Sequence, residues 1–131
     1  MKTITNWKQL QTLASLIDKP LKKELESYFI ELVSELPDEE DYLIHDIEYF
    51  AIIGVFEASD DINDLKELGM TSETTTLLEC TPEFVDEVFI GDEKYYRIII
   101  ILSADVGRVI YISNRFVTKE LRTWIDTWKE V

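Results

Sequence analysis

The sequence predicts an α+β fold with two N-terminal helices, an antiparallel sheet of about four to five strands, and a C-terminal helix packed on the sheet. Three observations predict it. Apolar residues recur at helical spacing over residues 7–36. Runs rich in aromatic and β-branched residues, punctuated by glycine, occupy residues 48–112. Helical spacing then returns after Thr118.

Each element has its own signals. Asn6 followed by Gln9 resembles a capping box. Trp7, Leu10, Leu13, Ala14 and Ile17 then share one face, which predicts a helix over about 7–17. Asp18 or Lys19 opens a second helix that tolerates Pro20 in its first turn. Its stripe is Leu21, Leu25, Tyr28, Phe29, Leu32, Val33 and Leu36, and Pro37 stops it. The short link makes the two helices antiparallel neighbours. Residues 48–57 read as a strand, 61–68 as a short helix ended by Gly69, and 74–80 as a further strand or irregular segment. Residues 84–90 alternate, Gly91 and Asp92 turn the chain, and 95–102 form the most apolar strand. Ile98, Ile99, Ile100 and Ile101 would occupy both faces of that strand, so the middle of the sheet is expected to be internal and covered on both sides. Asp105, Val106 and Gly107 supply a second turn, and residues 109–112 pair back. Thr118 caps the last helix, with Leu121, Trp124, Ile125 and Trp128 on one face. The expected core includes Leu25, Phe29, Leu32, Ile100, Ile110, Leu121 and Trp124.

Length and composition bound the rest. The chain has 131 residues, which suits one domain over residues 1–131. With 46% hydrophobic residues it is no disordered acidic tail. Cys80 is the single cysteine, so no intrachain disulfide can form. Residues 1–7 lack the apolar stretch of a secretion signal, and a cytoplasmic location is expected. The longest apolar run, 98–102, falls far short of the roughly 20 residues that span a bilayer.

Charge is distributed unevenly. Residues 1–34 sum to +1, residues 35–93 to −18 with Lys66 as their one base, and residues 94–131 to +3, giving −14 in all. A small domain needs a net charge of magnitude only about 2–8 for solubility. The surplus attracts basic partners and opposes direct nucleic-acid binding, which needs cations to replace phosphate counterions. The helix over residues 19–36 also carries Lys19, Lys22 and Lys23 at its start and Glu35 at its end, against the preference of the helix dipole.

Catalytic motifs are not apparent. His45 and Asp46 are adjacent, which on a strand points them to opposite faces. Cys80 follows Leu77 and Leu78 and reads as a small buried hydrophobe. One Cys and one His make no zinc site. Asp60, Asp61, Asn63 and Asp64 lack the glycine and ligand spacing of a calcium loop and read as a helix N-terminus. The four glycines form no phosphate-binding loop. No cofactor, metal or catalytic residue is therefore expected.

The expected function is that of a non-enzymatic acidic protein docking on a basic surface of a partner protein. The partner-binding residues would be Asp38, Glu39, Glu40, Asp41, Asp60, Asp61 and Asp64. Two forms fit: an inhibitor of the immunity or antitoxin type acting on a nuclease toxin, or a DNA mimic of the anti-restriction type occupying a DNA-binding protein. The alternatives are a small enzyme or ligand-binding domain using carboxylates such as Asp46, Glu48 or Glu57, and a structural or adaptor subunit. The adaptor would form a homodimer with Trp124 or Trp128 at its interface.

Overall fold

A computed structural model describes residues 2–13, 19–34, 46–47, 51–61, 64, 81–103 and 106–129. The expected loop 38–41, His45, Glu48, the segment 74–80 and Cys80 lie outside these residues, as does most of the expected helix 61–68.

The chain opens with a strand that its sequence pattern did not announce, β1 (Lys2–Ile4). Asn6 then starts the first helix, α1 (Trp7–Leu13), by accepting a hydrogen bond from the Gln9 amide at 2.8 Å. The Gln9 side chain turns back one residue further than the usual capping box and accepts from the Thr5 amide at 2.7 Å. The second helix, α2 (Lys19–Val33), returns antiparallel to α1. Gln11 donates to Glu26 at 3.0 Å, and the Trp7 and Phe29 rings lie 5.7 Å apart. Leu21, Leu25, Phe29 and Val33 are buried at a spacing of four, so one stripe faces the sheet. Leu32 is only partly buried, because one step along a helix turns a side chain by about 100° from the buried Val33.

The other strands are β2 (Ala51–Val55), β3 (Thr81–Ile90), β4 (Glu93–Ser103) and β5 (Val106–Ser113). They form one five-stranded sheet with β1 in the order β1-β2-β5-β4-β3. Three of its four pairings are antiparallel, as expected. The fourth is parallel: Ile53 lies beside Val109 and Val55 beside Tyr111. The sheet is therefore mixed. Two strands joined through a long intervening segment have no hairpin to force them antiparallel. Val106 and Gly107 belong to β5 rather than to the preceding turn. Pro82 sits in β3 beside a register irregularity, a position open to proline on an edge strand.

β4 is internal, between β5 and β3, and both faces of the sheet are covered. On one face α1 and α2 meet Ile4, Ile53, Val55, Tyr95, Val109 and Tyr111. On the other the C-terminal helix, α3 (Lys119–Lys129), lays Leu121, Trp124 and Ile125 over Tyr96, Ile98, Ile110 and Ile112. Thr118 caps α3 by accepting from the Leu121 amide at 3.2 Å. Of the expected core, Leu25, Phe29, Ile110, Leu121 and Trp124 are buried. The β3–β4 turn needs glycine, since Gly91 has φ +64° and a side chain there would meet Pro20 at 3.0 Å. That contact sets the hairpin against the first turn of α2. No helix among the described residues is long and apolar enough to cross a membrane.

Candidate functional site

The carboxyl ends of the parallel strands β2 and β5 lie at the same end of the sheet. A cleft of about 240 Å³ opens beside them. Leu13, Leu21, Val55 and Phe56 supply apolar wall, while Lys2, Arg115 and Glu57 supply charge. Arg115 is held by Glu93, whose Oε1 lies 2.5 Å from the Arg115 Nε and also accepts from the Ser113 hydroxyl.

One rim of this cleft is the acidic turn that follows β2. The Glu57 amide donates to the Asp60 carboxylate at 2.6 Å, and the Asp60 amide returns a bond to the Glu57 carbonyl at 3.0 Å. The motif repeats at once. The Asp61 amide donates to the Asp64 carboxylate at 2.7 Å, and the Asp64 amide to the Asp61 carbonyl at 3.1 Å. Each acid thus satisfies a backbone donor three residues back, as the side-chain arm of a capping box does. These bonds hold the backbone of the turn. Of the expected site residues, Asp60, Asp61 and Asp64 come together here, and Asp38, Glu39, Glu40 and Asp41 lie outside the described residues.

Of the carboxylates named for the enzyme alternative, the two described, Asp46 and Glu57, do not come together. Asp46 precedes β2 and Glu57 follows it, at opposite ends of the strand. Glu57 is the one acid among the described residues lining the cleft. Among the described residues no three His, Cys, Asp or Glu side chains are placed to hold a metal ion.

A second polar cluster went unread in the sequence, because its members come from four elements. Arg97 of β4 bonds Asp86 of β3 at 2.8 Å and lies 3.5 Å from Glu24 of α2. Its guanidinium lies 5.8 Å from the Tyr28 ring centre. Tyr111 of β5 donates to Glu24 at 3.1 Å. Burial works against the charge of Arg97, but the bond to Asp86 and the neighbouring Tyr111 and Asp86 outweigh it and raise the pKa. Burial, with the Glu24 carboxylate, pushes the Tyr111 phenol well above its ordinary value of 10.0. Tyr111 therefore stays a neutral donor and is no phenolate base.

This gives a prediction with a definite sign. A phenol whose pKa is raised by folding contributes stability that is complete below about pH 10 and declines as pH rises above it, where unfolded chains ionise first. Denaturant midpoints measured from pH 8 to 11.5 should fall above about pH 10, and less steeply in Tyr111→Phe. At neutral pH that variant should lose about 1–2 kcal/mol with its hydrogen bond, a figure reduced because Glu24 is 33% exposed. Identical alkaline profiles would refute the assignment.

No protein-family model, curated protein or solved structure matches the chain.

Proposed function

We propose that the protein is a non-enzymatic binding protein whose acidic surface docks on a basic surface of a partner protein, as an inhibitor of the immunity, antitoxin or DNA-mimic kind would. One observation carries the reading: where the cations of the C-terminal third are engaged. Among the described residues Arg97 serves Asp86 and Glu24, Lys94 serves Glu87 and Arg115 serves Glu93, so these cations meet three of the nineteen acids of residues 35–93. The segment 35–93 has Lys66 as its one base against nineteen acids. Within it the turn 57–64 holds Asp60, Asp61 and Asp64 in a fixed array. A preordered array loses little conformational entropy on binding, and concentrated charge steers a basic partner toward it.

The test neutralises charge without opening the turn. Asparagine retains the oxygen that accepts the Glu57 and Asp61 amides, so Asp60→Asn, Asp61→Asn and Asp64→Asn together should leave the melting temperature unchanged or slightly raised. With a partner recovered from native lysate at low salt, the triple variant should associate about tenfold more slowly, with little change in dissociation. The difference should shrink as salt rises. A companion variant neutralises Asp38, Glu39, Glu40 and Asp41. Unchanged affinity and salt-independent association in both variants would remove the acidic surface as the binding determinant.

A further inference from the structure

The strand order places β3 at an edge of the sheet, and among the described residues no strand pairs with its outer side. An antiparallel ladder occupies half of an edge strand's backbone groups and turns the other half outward, a template for a further strand. Proline and the register irregularity at Pro82/Phe84 disturb the first part of β3, but from Val85 to Ile90 its pairing with β4 is regular. Val85 packs into the core on the α3 side and Val88 into the core on the α2 side. By alternation Glu87 and Phe89 share the α3 side. Phe89 is 75% exposed, against 41% for Ile30, the other large apolar side chain exposed among the described residues. Glu87 faces Lys94 at 3.4 Å with both side chains about a third exposed or more, the kind of surface pair that another cation readily replaces. Asp86, on the opposite side, is bound to Arg97.

The charge of β3 selects among occupants. The strand carries Glu83, Asp86 and Glu87 and no base. Pairing with a second copy would bring six acids into one ladder, and like charges across strands are destabilising. An extended basic segment meets the same edge with complementary charge.

We propose that the outer edge of β3 over residues 85–90 receives an extended basic segment of a partner protein as a sixth strand. A lysine or arginine lies over Glu87, and an apolar side chain two residues away lies over Phe89. The proposal rests on the acidic-surface reading and adds the place and the form of contact. Backbone hydrogen bonds supply affinity, and the alternate pair of side chains supplies selectivity.

The probe is the octapeptide Thr-Lys-Thr-Val-Thr-Lys-Thr-Val, which puts lysine and valine on one face. Two analogues are N-methylated at one or the other alternate set of residues, so that each loses the donors of one edge, and a third has glutamate in place of lysine. Binding is followed by amide shifts and hydrogen exchange of the whole protein at low and high salt. The parent peptide should protect alternate amides within residues 85–90. The glutamate peptide should not bind, and one N-methylated peptide should lose binding while the other keeps it, because a paired strand uses the donors of one edge only. Phe89→Ala and Glu87→Gln, both at exposed positions, should each weaken binding about threefold to fivefold, the upper range for one cross-strand pair. Equal binding by both N-methylated peptides, or no protection at 85–90, overturns strand addition. In that event salt-dependent shifts at Asp60, Asp61 and Asp64 leave the acidic-surface reading standing, while no salt-dependent binding anywhere removes both.

Discussion

Replacing Phe29 by alanine should lower the free energy of unfolding by about 3–5 kcal/mol. The ring is fully buried, packs 5.7 Å from Trp7, and lies in the stripe that joins α2 to the sheet. Truncation leaves a cavity that two helices and a five-stranded sheet are poorly able to close, and the cost combines lost transfer energy with that void. The informative comparison is Leu32→Ala on the same helix. Leu32 is only partly buried, so its loss should cost clearly less. Urea or guanidinium midpoints measure both. Equal shifts in the two variants would mean that the buried stripe of α2 is wrongly placed.

Ile98→Ala should cost about 2–5 kcal/mol for a separate reason. Ile98 is fully buried on the α3 side of the internal strand β4, opposite Ile110 on β5 and Val85 on β3. Phe29 and Ile98 belong to different cores on the two faces of one sheet. Their effects should therefore add to within about 0.5 kcal/mol in the double variant. A total near 5–10 kcal/mol rivals the whole stability of an ordinary domain, about 5–15 kcal/mol, so the double variant should be marginal at room temperature. A negligible effect of Ile98→Ala would remove α3 from that face.

These sites illustrate which parts of the molecule its sequence discloses. The α1–α2 pair, the Gly91 turn, the internal place of β4 and the Thr118 cap were all legible. Each is written in a short window through apolar period, a cap or a turn residue. β1 was missed because three residues carry no period and its partner β2 is far away in the chain. The parallel direction of β2 against β5 was missed because alternation gives which face a residue occupies and says nothing about strand direction. The same holds for function. The turn 57–64 was visible as a cluster of acids, but its two interlocked pairs of hydrogen bonds were not. The cluster around Arg97 carried no signal in the sequence, since Glu24, Asp86 and Tyr111 reach it from three other elements.

The parallel seam between β2 and β5 also fixes the order in which the molecule can be completed on the ribosome. β5 sits in the middle of the sheet with β2 on one side and β4 on the other, yet it is the last strand to be made. Ile53 must wait for Val109, a delay of about 3–11 seconds at roughly 5–20 residues per second. During that interval β1, α1, α2 and β2 present an apolar strand edge with no neighbour yet synthesised. Residues 54–108, which emerge in the meantime, carry thirteen acids against four bases, a sum of −9. Charge of one sign opposes self-association, so these acids weigh against pairing between the exposed edges of two unfinished chains.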